Sequence, residues 1–367
     1  MSNLSTVSRK IQPGNYEVFV GLDVDKRSIA LTQVDHLGIE RAVSMPYDAD
    51  MLLSYVRNQL GSRRVAFVYE AGPTGFGLHD AVVEAGHACL VVSPASVPTA
   101  RGKRVKTNRL DSRKLALQLR GGGLEGIRVP TEEYRHLREL VELRKMHIRG
   151  AAAHKCRIKA LFLRYSIAFP GKTPGGYWSK EVIGRLRNLE CQPALRFKIV
   201  SLLDSLEFSR QHALKAQVAI REFVEWNQDI SESVWYAMSL PGIGWIVGTY
   251  AIARIGDWRQ MGSSDQTVSF LGLVQTENST GDRTDRGSIT KAGDPALRSL
   301  LVEAAWTAIR KDPELAEFYH RVYSNHPKHI AARVAIVAVA RKLATRLHCV
   351  LKERREYRAR MVVQEGV

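Results

Sequence analysis

Three acidic residues occupy positions from which they can share a metal ion. Asp23 follows an apolar segment at 18–22, and Glu70 closes a second one at 65–69. Both segments have the length and composition of buried strands. Carboxylates brought together from strands of one sheet repel each other unless a cation lies between them. Mg²⁺ takes hard oxygen ligands and leaves room for phosphate oxygens, so the pattern indicates metal-dependent phosphodiester chemistry.

The third acid, Asp111, lies in a strongly basic segment that is predicted to begin a helix, with Asn108 or Asp111 in its first turn. Residues three apart share a helix face. The bases would hold a polyanion while the acid holds the metal. Asp111 alone is better explained by surface ion pairs, but the three acids together favour a site. The bases assigned here to nucleic-acid contact are Arg104, Lys106, Arg109, Arg113 and Lys114.

Strand and helix patterns alternate through the first third of the chain. Strands are predicted at 18–24, 28–34, 64–70 and 88–92, and helices over 50–60 and up to residue 83. This alternation predicts an α/β layer fold around a central sheet. The expected boundaries are a flexible lead-in at 1–16 and an α/β domain at 17–130.

The rest of the chain is predicted to be mostly helical. Two long amphipathic patterns, at 132–165 and within 183–226, flank a loop rich in Pro and Gly, which predicts a helical hairpin or coiled-coil arm over 131–232. An ordinary helical subdomain is the alternative. A mostly α-helical C-terminal domain with a basic tail is expected at 233–367. We assign Trp245, Trp258 and Trp306 to the core rather than to base stacking.

The Leu-Pro-Gly-Ile-Gly segment at 240–244 precedes a predicted helix. It is similar to the hairpin of helix-hairpin-helix modules, whose glycines let backbone N–H groups approach a phosphate. A plain helix start explains the segment equally well.

The charge of the chain indicates a polyanionic partner. The formal net charge is +17 at pH 7, and Lys and Arg far outnumber acids at 135–164 and 341–360. Such faces favour duplex DNA or structured RNA over anionic lipid or a merely basic surface.

The four cysteines are scattered and indicate neither zinc nor disulfides. With no signal peptide or membrane span in the pattern, we expect a cytoplasmic protein.

Several motifs together resemble the insertion-sequence 110 family of transposases, which includes the pilin-gene invertase. In the first domain they are Gly-Leu-Asp at 21–23, Tyr-Glu-Ala-Gly-Pro-Thr-Gly at 69–75 and Lys-Thr-Asn-Arg-Leu-Asp-Ser at 106–112. The resemblance implies a RuvC-like, ribonuclease-H-type domain with an Asp-Glu-Asp-Asp metal set. Asp23, Glu70 and Asp111 match three of its members. Asn108 stands where the family has the remaining Asp, and its amide oxygen can coordinate a metal without charge.

The resemblance continues through the last third, in Leu-Pro-Gly-Ile-Gly at 240–244, Phe-Leu-Gly-Leu at 270–273, Asn-Ser-Thr-Gly at 278–281 and the segment 286–295. By composition alone, 276–292 predicts only a polar loop. The family, however, has a catalytic serine just before the glycine. Here that place is Thr280, preceded by Ser279, and Ser279 is preferred as the only serine of the motif. The bases that would stabilise charge on phosphorus are Arg283, Arg286, Lys291 and Arg298.

The resemblance implies a DNA transposase or site-specific recombinase of a bacterial cell, with Mg²⁺ or Mn²⁺ as cofactor. It also implies a composite active site across the subunits of a homodimer or homotetramer, and a structured noncoding RNA that pairs with donor and target DNA.

Two other classes of function stay open from the residues. A Holliday-junction-type nuclease would cut with metal and water and needs no hydroxyl nucleophile. A degenerate homologue would only bind nucleic acid, which the substitutions at Asn108 and Thr280 favour.

Overall fold

The structure, a computed structural model, describes residues 9–97, 108–171, 173, 176–277 and 286–358. The chain divides into two compact units, Met1–Val129 and Pro130–Val367. None of the helices in these described ranges has the length and apolar character needed to cross a membrane.

The first unit is built on a five-stranded mixed sheet, which confirms the predicted α/β class. The strands are β1 (Val18–Val24), β2 (Ser28–Asp35), β3 (Glu40–Pro46), β4 (Val65–Glu70) and β5 (Ala88–Val92). Their order is β3-β2-β1-β4-β5. β1 pairs antiparallel with β2 and parallel with β4, and β4 pairs parallel with β5. The sequence analysis does not predict β3, an edge strand whose mostly exposed side chains give no apolar alternation.

Helices cover both faces of this sheet. They are α1 (Ala49–Leu60), α2 (Gly77–Glu84) and α3 (Asn108–Arg120). α1 and α2 pack on the face that carries Val20 and Phe67. α3 packs on the opposite face, where Leu115 joins Phe19 and Val68 in a second core. Because side chains alternate along a strand, the residues that continue the Phe19 and Val68 rows face α3.

The second unit begins with two long helices that lie along each other. They are α4 (Glu132–Arg164) and α6 (Pro193–Trp226), with the short α5 (Lys180–Arg187) between them. Ile158 of α4 packs with Leu203 of α6 at one end. Val141 of α4 packs with Ile220 of α6 at the other, so the pair is antiparallel. This pair matches the predicted helical hairpin, although the second pattern is divided by a break before Pro193.

The remaining helices form a core at one end of this pair. They are α7 (Gln228–Met238), α8 (Trp245–Ile255), α9 (Ser264–Phe270), α10 (Pro295–Ala308), α11 (Pro313–Ser324) and α12 (Lys328–Glu353). Val141 of α4 and Ile220 of α6 belong to the same buried cluster as α8, α10 and α12 residues. A two-stranded sheet of β6 (Gln275–Glu277) and β7 (Arg286–Ile289) completes the unit. The separation of an arm at 131–232 from a domain at 233–367 stays a prediction.

One glycine of the 240–244 turn is required by packing. Gly242 has a φ of +86°, and a Cβ built there would lie 2.2 Å from the carbonyl oxygen of Ala304 in α10. Gly242 therefore lets the turn between α7 and α8 approach the α10 backbone. Gly244, by contrast, is exposed at the N-cap of α8 and has open space around its Cβ position.

Candidate active site

The parallel pairing of β1 with β4 brings the first two predicted acids to one edge of the sheet. The register pairs Gly21 with Val68 and Leu22 with Tyr69, so the next position sets Asp23 beside Glu70. Both continue the rows that face α3. Asp23 is half-buried and Glu70 is exposed. Two carboxylates thus emerge side by side at the carboxyl ends of parallel strands.

A very close contact between α3 and β1 brings the third acid to the same face. A Cβ at Gly21 would lie 2.1 Å from the carbonyl oxygen of Ser112 and 2.5 Å from the backbone nitrogen of Ala116. The α3 backbone therefore rests directly on β1, two residues before Asp23. Asp111 lies in the first turn of this helix, next to Ser112. Only glycine at position 21 permits this approach.

A buried chain of hydroxyl groups fixes the start of α3. Ser112 Oγ donates to the carbonyl oxygen of Arg109 at 3.1 Å. It also shares a hydrogen bond of 2.8 Å with Thr32 Oγ1 on β2. Ser112 and Thr32 are almost fully buried. Because a buried hydroxyl without a partner is costly, this link holds the first turn of α3 in register with β1 and β2.

The electrostatics of Asp23 reflect this convergence. Burial raises the pKa of Asp23 above its ordinary value, and the negative charges of Asp111, Glu70 and Asp25 raise it further. The protein thus concentrates negative charge around a half-buried carboxylate. A bound cation would relieve the mutual repulsion of these acids.

The donor chemistry of this set fits a hard divalent cation. Asp23, Glu70 and Asp111 offer only carboxylate oxygens, the ligands that Mg²⁺ and Mn²⁺ prefer. No group of three or more His, Cys, Asp or Glu is close enough to hold a metal ion within the ranges that the structure describes. Asp23, Glu70 and Asp111 are thus neighbours by register and charge rather than a compact cluster. The side chain of Asn108, the fourth predicted ligand, lies outside the described residues.

We expect the substitution Gly21→Ala to displace α3 and disable the site. The added methyl would overlap backbone atoms of Ser112 and Ala116, which cannot rotate away. Overpacking of this kind destabilises by roughly 1–3 kcal/mol or more, and a displacement of about 1 Å at a reaction centre can lower the rate about 100-fold. Urea unfolding and DNA-cleavage assays measure both effects. Gly77→Ala is the matched control, because open space surrounds its Cβ position; equal stability of the two variants would refute the packing argument.

The predicted nucleic-acid contacts of the first domain divide into three groups. Arg104 and Lys106 lie outside the described residues. Arg109 is exposed and Lys114 half-buried on α3. Arg113 forms a bidentate ion pair with Glu40 of β3, with N–O distances of 2.5 and 2.7 Å. The hydrogen bond from Arg113 lowers the pKa of Glu40. Arg113 thus links α3 to the sheet edge.

The second half of the predicted site lies mostly outside the described residues. This applies to Ser279, Thr280, Arg283 and the side chain of Arg286. The two ends of this segment are described, and they pair as the antiparallel strands β6 and β7.

Two predicted bases of this second half are described. Lys291 is exposed, with a left-handed φ of +55°. Arg298 donates from Nη1 to the carbonyl oxygens of Leu271 and Ala292 at 2.9 and 2.8 Å. Arg298 therefore holds the loop before α10 against the end of α9.

The sequence analysis did not single out the residues that position the acids. Gly21 and Ser112 lie inside quoted motifs, but neither is assigned a role, and Thr32 is not mentioned. A glycine within an otherwise apolar strand is a signal of close backbone approach, and it could have identified Gly21. The Thr32–Ser112 hydrogen bond joins residues 80 positions apart, which no local pattern reveals.

Comparison with known proteins shows the family. A model described as “Transposase”, with the short name DEDD_Tnp_IS110, matches residues 20–167, and the “Transposase IS116/IS110/IS902 family” model matches residues 236–320. The y4qE protein of Sinorhizobium fredii, named as a transposase, is 33% identical over 297 residues, which cover 79% of this chain and 72% of that protein. The transposase for insertion sequence element IS1533 of Leptospira borgpetersenii is 24% identical over 345 residues, 90% of this chain and 95% of that protein. With its acids in the first matched region and its Ser-Thr-Gly motif in the second, the chain belongs to the IS110 family of transposases.

Proposed function

We propose that this chain is a recombinase that cuts and rejoins DNA with an acidic metal site and a serine nucleophile. Transposases of this family act on DNA by cleavage and rejoining in general. The observation that supports the finer mechanism is the convergence of Asp23, Glu70 and Asp111 on one sheet face, held by the contact of α3 with Gly21. Acids held in this way serve metal-dependent phosphodiester chemistry.

In this proposal Asp23, Glu70 and Asp111 hold Mg²⁺ or Mn²⁺, and Asn108 adds an uncharged amide oxygen. Transposases of this type generally use divalent metal ions. The bound ion would act as a Lewis acid toward phosphate oxygens of the DNA. The chain itself contributes the positions of the ligands, through the sheet register and the buried contact of Ser112 with Thr32.

The proposed nucleophile is the Ser279 hydroxyl, with Thr280 as the rival. As its oxygen forms a bond to phosphorus, the P–O bond within the DNA strand breaks and the leaving oxygen takes up a proton. The serine hydroxyl loses its proton in this step, and the DNA is then joined covalently to the protein. A hydroxyl of a different DNA strand attacks the same phosphorus, the bond from phosphorus to the serine oxygen breaks, and the serine takes up the proton that the attacking hydroxyl loses. Arg283, Arg286 and Lys291 would stabilise the negative charge on phosphorus, and Arg298 would shape the adjoining loop.

The proposal further includes a structured guide RNA, a homodimer or homotetramer whose subunits complete each other's sites, and a cytoplasmic location. These features derive from the family resemblance. The basic helical faces at 135–164 and 341–360 support a polyanionic partner of this kind.

The test is a recombination assay with purified protein, DNA of the element ends and target, and RNA transcribed from the flanking segment. Strand exchange that requires Mg²⁺ or Mn²⁺ and passes through a covalent protein–DNA adduct is the expected result. Metal-dependent cutting without an adduct would instead identify a nuclease that uses water. Binding without cutting under all metal conditions would identify a homologue that only binds nucleic acid.

A further inference from the structure

The second unit contains a cavity of about 370 Å³ between α4, α6, α8 and α10. This volume lies within the range of about 300–1,000 Å³ that is typical of small-ligand sites. Its walls are mostly apolar, and they include Val141, Ile220 and Leu300. We refer to it as the α8 cavity, because Trp245, Ile246, Thr249 and Tyr250 of that helix line it.

Thr249, one of the residues that line the α8 cavity, carries a buried hydroxyl without a partner among the described residues. Thr249 is only 2% exposed, and within the described residues its Oγ1 has no hydrogen-bond partner. A buried hydroxyl left unsatisfied costs about 1–3 kcal/mol. An orphaned polar atom in an otherwise apolar wall is the feature expected where a ligand supplies the missing hydrogen bond.

The polar rim of the α8 cavity is cationic. Arg144, Lys145 and Arg149 line it. Lys145 is ion-paired with Glu142, with 3.0 Å between Nζ and Oε1, so the cationic character of the rim comes from Arg144 and Arg149. The Nε–H of Arg144 donates a hydrogen bond to the side-chain amide oxygen Oε1 of Gln217 at 3.3 Å. Burial lowers the pKa of Arg144, which shows that its charge is partly desolvated. A partly desolvated guanidinium beside an apolar cavity is complementary to an anion.

Trp245 gives the cavity a flat aromatic wall. From the sequence, Trp245, Trp258 and Trp306 are expected in the core rather than in base stacking. Trp258 is 3% exposed, as predicted, but Trp245 is only half-buried and Trp306 is 42% exposed. The guanidinium of Arg221 lies 5.1 Å from the centre of the Trp245 ring. An indole held in this way is a stacking surface for a second planar group.

We propose that the α8 cavity binds one unpaired nucleotide of the nucleic-acid partner. Its base would enter the apolar cavity against Trp245 and hydrogen-bond to Thr249 Oγ1, and its phosphate would lie at Arg144 and Arg149. Bases bound outside a stack are held by aromatic stacking combined with cationic contacts to the backbone. An apolar side chain of a protein partner would use neither the orphaned hydroxyl nor the cationic rim. The site is separate from the proposed cutting chemistry and adds a binding role to it.

The experiment uses the full chain and labelled oligonucleotides of one sequence, as single-stranded DNA, single-stranded RNA and duplex DNA. Trp245→Leu should weaken single-strand binding about tenfold, as expected for loss of base stacking. Thr249→Val, which keeps side-chain shape, should weaken it about threefold or more through the lost hydrogen bond. Duplex binding should stay within twofold. Whichever single strand is affected more identifies the source of the nucleotide.

Trp306→Leu is the control, because this tryptophan lies outside the cavity lining. Photocrosslinking with single strands that carry iodouracil should attach the base to the peptide containing Trp245 and Tyr250. The proposal is overturned if both cavity variants bind single strands as the unsubstituted protein does. It is also overturned if Trp245→Leu changes the oligomeric state and not single-strand affinity, which would make the cavity a protein contact. The recombination-deficient Asp23→Asn protein should bind single strands normally, so the two proposals fail independently.

Discussion

Asp23→Asn is expected to abolish DNA cutting and rejoining while leaving the α/β unit folded. Asp23 is half-buried, and its pKa is raised by burial and by the charges of Asp111 and Glu70. The carboxylate is therefore held against electrostatic repulsion in the metal-free protein. An isosteric amide removes one charge from that repulsion, so the metal-free variant should be at least as stable as the unsubstituted protein. A residue retained mainly for stability would behave in the opposite way.

Divalent cations should further distinguish the Asp23→Asn variant from the unsubstituted protein. A ligand that binds only the folded state stabilises it by about 2.7 kcal/mol at a concentration 100-fold above its Kd. Mg²⁺ or Mn²⁺ should therefore raise the melting temperature of the unsubstituted protein and leave that of Asp23→Asn nearly unchanged. Recombination should fall at least about 1,000-fold, because loss of a central catalytic group typically has an effect of this size. Chelation of the metal from the unsubstituted protein should give the same loss.

Asp25→Asn is the matched control for this comparison. Asp25 also raises the pKa of Asp23, but it is exposed and two residues further along the chain. The Asp25→Asn variant should retain recombination and the metal-induced shift in melting temperature. If Asp25→Asn and Asp23→Asn respond alike to metal, the cation binds through general negative charge and the proposed ligand set is wrong.

The acids were accessible to sequence reasoning because their signals are local. An apolar run that ends in a carboxylate identifies a strand end, and two such runs in one α/β domain suggest a shared edge. The observed register sets Asp23 beside Glu70, while their role as metal ligands stays a prediction. Continuous apolar runs likewise predict β1 and β5 at their observed bounds.

The features that hold the site together depend on contacts between distant residues. Arg113 was predicted to bind nucleic acid from its basic surroundings, yet it pairs with Glu40, 73 positions away, on a strand that was not predicted. The segment that contains Gly242 fits a phosphate-binding turn and a plain helix start equally well by its sequence, which does not reveal that Gly242 packs on α10. The sequence pattern around Arg113 and around Gly242 is local, whereas the residue that each one contacts belongs to another element. Sequence spacing therefore identified the chemical groups better than it identified their neighbours.

Ser279→Ala is expected to remove the covalent protein–DNA adduct and to lower strand exchange about 1,000-fold or more, as loss of a nucleophile does in other enzymes. Thr280→Val, which removes a hydroxyl but keeps shape, should retain both. The adduct is detected as labelled DNA that stays with the protein on a denaturing gel, and its position is mapped by mass spectrometry of the digested protein. Ser279 is the candidate because it is the only serine of its motif, whereas Thr280 occupies the family's usual position.

Three other outcomes discriminate between the chemical alternatives. Loss of the adduct only in Thr280→Val would transfer the nucleophile to the threonine and keep the mechanism. Loss in both variants would indicate that the second hydroxyl positions the first, and the mapped adduct would then identify the attacking oxygen. If cutting persists without any adduct even in the double variant, water is the nucleophile. The acids of the first domain would then suffice for cleavage, and the motif at 278–281 would serve only to bind the DNA backbone.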